Sequence, residues 1–210
     1  YGRDAKGELT GFVAETRAAA PLIEGLKSPW KIYGRYVRTL DELLANGFTS
    51  VASLGLNVPP LLARVAASRD FTPRIRQFFY MTEDELNYLP DEPDKSDDYF
   101  RVLGVKLWHD GSPYTGSMYT SMPYLDSPLA RTLGIPPGSY GAALIADDVL
   151  SEKIRRYSDL GWQIAIHSQG DISNRTVMRT IERAGILKGE LPIVRLEHGV
   201  FMPIDSVKQL

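Results

Sequence analysis

Short apolar runs closed by turn residues alternate along this chain with longer stretches in which apolar positions recur every three or four residues. The runs read as strands buried on both faces and the longer stretches as amphipathic helices, so the alternation predicts an α/β fold with a parallel sheet. In "TLDELLANGFTSVASLGL" a short helix from about Asp41 stops at Asn46-Gly47 and a strand follows over Thr49 to Leu54. "VPPLLARVAASRDFTPRIRQFFYMT" repeats the plan, with prolines at the helix start and a strand from about Arg74 to Tyr80. The acidic, proline-containing stretch 82–99 predicts a weak helical turn and a surface loop, ahead of a strand around Lys106. Further on, a helix from Asp147 or Asp148 ends at Gly161 before a strand Trp162 to His167. Another, over 172–184, ends at Gly185 before a strand Ile193 to His198.

Residues 111–141, "GSPYTGSMYTSMPYLDSPLARTLGIPPGSYG", interrupt the alternation with Gly, Pro, Ser and four tyrosines and no sustained period. A loop of that length inside a compact domain is usually functional or a linker, and the tyrosines favour an ordered, ligand-facing loop. At the far end, Asp205 or Ser206 is the expected cap of a final helix with only about a turn left to run. Both ends read as cuts within a longer chain.

One position breaks the hydrophobic pattern. In "GVKLWHDGS" a lysine, Lys106, interrupts an apolar run that ends in the turn Asp110-Gly111-Ser112. An ammonium there must snorkel out, find a partner, lose its charge or be chemically converted.

Composition narrows what that lysine can be doing. A net charge of -2 and a pI near 6.0 leave no electrostatic footprint for nucleic acid or an anionic membrane, and no apolar run is long enough to span a bilayer. With no cysteine, any metal must be held by His, carboxylate or a modified side chain. Phosphate-binding glycine loops and the G-x-S-x-G elbow are absent, which removes support for nucleotide-dependent and serine-hydrolase chemistry.

Two of the three histidines occupy equivalent places. His167 ends "QIAIH" and His198 ends "IVRLEH", each at the carboxyl end of a predicted parallel strand, the edge where function collects in α/β folds. Lys106 and His167 are 61 residues apart and His167 and His198 are 31 apart, spacings that bring all three strand ends to one rim. Strand alternation puts Lys106 on the side of Gly104 and Trp108 and sets His109 on the opposite side, away from the others. Singly, each residue has an ordinary structural reading: a hydrogen-bonded strand-end histidine, a snorkelling lysine, and a turn-forming Asp110. The argument for chemistry rests on the set.

"GVKLWHDGS", "GWQIAIHSQGD" and "IVRLEHG", in that order, resemble the signature of the amidohydrolase superfamily, in its family 3 (YtcJ-like) branch. "YGRDAKGELTGFVAE" and "GFTSVASLGL" resemble earlier segments of the same branch. The resemblance covers nearly all of residues 1–210 and implies an incomplete (β/α)8 TIM-type barrel, about strands two to six, with a metal centre at the carboxyl ends of the strands. It further implies that Lys106 is the metal-bridging lysine, often carboxylated by CO2, and that His167 and His198 are metal ligands. Zinc is the expected ion, one or two in the intact protein. The implied activity is hydrolysis of amide-type, non-peptide C–N bonds of a small molecule by metal-activated water. Asp110 and, on the loop 111–141, Ser112, Tyr114 and Tyr119, with Tyr124, are the expected substrate contacts. The His-x-His pair and the general-base aspartate that the family takes from its first and eighth strands have no counterpart here, so the fragment alone is expected to be inactive and its open sheet edges to favour homo-oligomers. The competing reading is a non-catalytic α/β binding or regulatory module in which the same residues are structural.

Overall fold

A computed structural model describes residues 1–11, 13, 19, 22, 28–55, 75–93, 98–186 and 194–208. Its centre is a five-stranded, wholly parallel sheet in sequence order: β1 (Ser50–Leu54), β2 (Arg76–Met81), β3 (Phe100–Trp108), β4 (Gln163–Ser168) and β5 (Val194–His198). Consecutive parallel neighbours, with α-helices described between β3 and β4 and between β4 and β5, make this part of a TIM-type barrel.

The helices are α1 (Pro29–Ala45), α2 (Pro128–Thr132), α3 (Asp147–Asp159), α4 (Asp171–Arg183) and α5 (Ile204–Val207). Helix α1 begins at Pro29, twelve residues before the expected Asp41, because proline in the first turn and Ile32, Tyr36, Leu40 and Leu43 already carry the helical period. The prolines and helical pattern at 58–70 lie outside the described residues. Among the described residues of stretch 82–99 there is a 3-10 helix, Glu83–Tyr88, closed by a capping box between Thr82 and Glu85. In the last helix Pro203 takes the cap position, and Asp205 sits within the first turn.

One face of the sheet packs on the helices. Val105 and Leu107 of β3, Ile164 and Ile166 of β4, Leu150, Ile154 and Tyr157 of α3, Val177 of α4 and Trp162 form its main core. Phe79 and Met81 of β2 with Phe100 of β3 continue the same layer toward Tyr36 of α1. The opposite face is polar. Register places Tyr80, Gly104 and Gln163 side by side on it, followed by Lys106 and Trp108, Ala165 and His167, and Arg195 and Glu197.

A β-bulge separates the two halves of β3. Val102 pairs with Phe79, but the next pair is Gly104 with Tyr80, so Leu103 is an extra residue opposite no partner. Phe100 and Val102 face the helices, and uninterrupted alternation would send Gly104, Lys106 and Trp108 the same way. The extra residue resets the phase. Val105 and Leu107 take the helix side and Lys106 is delivered to the polar face.

Candidate metal centre

Lys106 sits 2% exposed on the polar face, and its Nζ has no hydrogen-bond partner among the described residues. Its ammonium lies 5.2 Å from the centroid of the Trp108 ring. Burial pushes the amine down to about 7; the Glu197 carboxylate pulls the other way and the Arg195 guanidinium adds to the depression. Arg195 itself pairs with Glu197 and lies over the Tyr80 ring, whose hydroxyl donates to Gln163 at 2.8 Å. The polar face below Lys106 is therefore internally paired, whereas Lys106 is not.

His167 ends one strand over from Lys106, paired in register with Trp108. Burial holds its imidazole below the usual histidine range, with further depression from Lys106 and His198, so it is neutral at pH 7. Nε2 has the Gly111 carbonyl, an acceptor, at 3.2 Å and the Gln169 amide nitrogen, a donor, at 3.1 Å.

His198 reaches the same place by a distorted backbone. It pairs with Ser168, on the helix-facing phase of β4, and from regular β geometry its ring would point away from His167. Instead its φ is +75°, the one positive φ at a described residue other than glycine, and its ring stands 4.6 Å from that of His167 in an edge-on arrangement. A histidine in this region is strained, and such strain concentrates at functional sites.

The aspartate after β3 has a different duty from the one its position suggested. Asp110 is fully buried, and its carboxylate accepts from the backbone N–H groups of Gln169 (3.0 Å), Gly170 (2.9 Å) and Tyr119 (3.0 Å). Read from sequence as a substrate contact, it braces the turn after β4 against the long loop and has no oxygen turned outward. Asp110→Asn turns an amide N–H₂ toward backbone donors, and is expected to destabilise the protein by roughly 2–3 kcal/mol. Urea denaturation measures this, and a change under 1 kcal/mol would contradict the bracing role.

The loop 111–141 is ordered by short local elements: a 3-10 turn Pro113–Thr115, whose cap Ser112 accepts from the Tyr114 amide, and α2, capped by Ser127. Tyr114 is exposed and the Tyr119 backbone is pinned by Asp110, while the Tyr124 hydroxyl donates to the Met118 carbonyl. His109 lies on the helix side, as alternation requires, with Nδ1 2.7 Å from Ser173 Oγ. Sequence reasoning passed over Arg195 and Glu197, although a charged pair two residues apart in a strand signals a polar inner face.

The family model described as "Amidohydrolase family" matches residues 1–210, the whole of this chain. The chain belongs to the amidohydrolase family. No protein of curated function matches it. Two solved structures resemble this amidohydrolase chain, each an uncharacterised metal-dependent hydrolase. The one from Pyrococcus horikoshii OT3 is 22% identical with a TM-score of 0.71, over 92% of this chain and 38% of that one. The one from Pyrococcus furiosus is 23% identical with a TM-score of 0.71, over 94% and 40%. The amidohydrolase chain thus spans about two fifths of their length, and at these identities the likeness establishes the fold.

Among the described residues no three His, Cys, Asp or Glu side chains cluster as a metal site. The residues of this amidohydrolase still suit a divalent ion if Lys106 is counted with the two histidines. Its buried amine lacks a hydrogen-bond partner among the described residues, and imidazole nitrogen is a usual donor to such an ion.

Proposed function

We propose that this chain carries part of the active site of a metal-dependent hydrolase that cleaves C–N bonds in small amide-type, non-peptide substrates. The observation that carries the reading is the buried Lys106 amine, without a hydrogen-bond partner among the described residues, one strand from a convergent histidine pair.

With its pKa near 7, Lys106 is largely unprotonated at mildly alkaline pH. Its nitrogen lone pair can then attack the carbon of CO2, forming the N–C bond of a carbamate while one N–H proton leaves to solvent. The product is an anionic oxygen donor in place of a buried cation, which removes the desolvation problem once a cation is beside it. His167, and His198, turned inward by its backbone, would complete the donor set for one or two divalent ions, with zinc the best match to imidazole and carboxylate-like oxygen. Such an ion supplies Lewis acidity, activating water near neutral pH and polarising a scissile carbonyl. Trp108 lies over Lys106, and Ser112, Tyr114 and Tyr119 of the loop 111–141 are the residues assigned here to contact the substrate.

Metal content of the full-length protein, measured by plasma mass spectrometry, tests this against the Lys106→Ala, His167→Ala double variant. Stoichiometric divalent metal that the double variant loses is the expected result. No metal in either protein would overturn the reading and favour a non-catalytic binding module. A panel of N-acyl amides, ureas and matched esters then decides the bond: faster turnover of the esters would remove the C–N assignment.

A further inference from the structure

Trp108 is the large side chain left open at the end of β3. Lys106, His109 and Asp110 around it are buried, as is His167, its partner in register on β4. The indole is 37% exposed, and its ring centroid lies 5.2 Å from the Lys106 amine. The bulge at Leu103 delivers it there, since without the change of phase it would enter the helix layer.

The rest of the rim has the same character. Through residues 108–112, 167–170 and 198–201 the exposed side chains are Trp108, His198, Val200 and Phe201, and none of them is a carboxylate, a lysine or an arginine. Phe201 is tied to the rim by its N–H, which donates to the Gln169 carbonyl at 2.9 Å. The charges nearby are already committed. Arg195 pairs with Glu197, and Asp110 accepts from three backbone amides. Arg131, the only cation of the loop 111–141, donates to Asp126 at 2.7 and 2.8 Å. Lys106 is taken up by the role proposed above.

A substrate group set against this rim meets an indole face and apolar neighbours. A carboxylate there would lose water without gaining a partner among the described residues, whereas a flat apolar ring would bury its face on the indole. We propose that Trp108 is a specificity wall, selecting neutral amides that carry an aromatic ring beside the scissile bond over amides that carry a charged group. Its substrate chemistry rests on the function proposed above, but the wall itself uses no metal. A tryptophan that merely roofed Lys106 would be indifferent to what the substrate carries, so selectivity rather than rate separates the two roles.

The test compares amides on the full-length protein. N-Benzylacetamide and N-methyl-2-phenylacetamide carry a ring on either side of the bond, N-acetylglycine and N-(2-aminoethyl)acetamide carry a charge, and N-methylacetamide is the reference. At least one ring-bearing amide is expected to exceed the reference in kcat/KM by about tenfold or more, and neither charged amide is. Trp108→Ala should bring that ratio to within about threefold of one, and Trp108→Phe should keep most of it. Binding is read separately on chelator-treated protein labelled with ¹⁵N-tryptophan, in which the Trp108 indole N–H signal is identified by its loss in Trp108→Phe. The preferred ring-bearing amide is expected to shift that signal and leave that of the buried Trp162 in place; N-acetylglycine at the same concentration should shift neither. This measurement decides the matter should Trp108→Ala fail to fold. An unmoved Trp108 signal, a ratio unchanged in folded Trp108→Ala, or a charged amide turned over faster than both ring-bearing ones overturns the wall. A shifted signal in a protein that holds no metal and cleaves no amide leaves the wall standing and sinks the hydrolase. Bound metal and amide turnover with no preference for a ring do the reverse.

Discussion

Lys106→Met is expected to make the metal-free protein more stable at pH 7, by about 1–4 kcal/mol, while reducing metal retention at least a hundredfold. The first half follows from removing a buried amine that has no hydrogen-bond partner among the described residues and filling its place with an apolar chain of similar volume. The second follows from losing the donor proposed to complete the histidine pair. The stability gain should depend on pH. Unfolded, the lysine titrates near 10.5; folded, near 7, so between those values the unfolded chain holds a proton that the folded chain has released. Wild-type stability therefore rises with pH across that window, and the penalty is complete below about 7 and fades as pH approaches 10.5. Between pH 7 and pH 9.5 the gap between wild type and Lys106→Met should close by roughly 3 kcal/mol, at 1.36 kcal/mol per pKa unit. Urea titrations in chelator at the two pH values measure it. A variant less stable than wild type at pH 7, or a gap indifferent to pH, would mean that Lys106 is paired or solvated.

Gly104→Ala is expected to cost more than 4 kcal/mol or to prevent folding. A Cβ at this position would lie 1.7 Å from the Gln163 carbonyl oxygen and 2.5 Å from its carbon, both backbone atoms of the neighbouring strand. A flexible side chain could swing aside, but here the only relief is to separate β3 from β4 where their pairing begins. That separation would also carry Lys106 away from His167. Gly34→Ala is the matched control: it lies within α1 with nothing within 4 Å of the added carbon, and should stabilise the protein by about 0.5–1 kcal/mol. If the two variants melt alike, β3 and β4 are not as close as described.

The strands and most helices were legible because each is bounded by glycine or a cap and has a clean apolar period; β4 and α4 fall within a residue of expectation. So was the convergence of Lys106, His167 and His198 at one rim, since strand-end position follows from the period alone. What could not be read was how two of them get there. The bulge at Leu103 and the left-handed backbone of His198 are single-residue departures from regular geometry, and neither Leu103 nor His198 is a residue type that signals one. Asp110 was legible as a turn residue and its three amide partners were not, because Tyr119 and the Gln169-Gly170 pair come from segments distant in sequence. The buried chain His109–Ser173–Ser168–Asn174 was hidden for the same reason: serines and an asparagine opening a helix look like caps until a histidine from the end of another strand is set against them.

The bulge in β3 works as a frameshift for side chains. Upstream of Leu103 one parity faces the helices, and downstream the other does, so if Leu103 were drawn into regular alternation every downstream residue would keep its type yet exchange inside for outside along the strand's end. Lys106 would enter the layer built from Leu150, Ile154 and Trp162, and Val105 and Leu107 would be exchanged onto the polar face. Point substitutions in this strand therefore differ in kind from a change of phase: the first edit a site, and the second turns a site into a core and a core into a site.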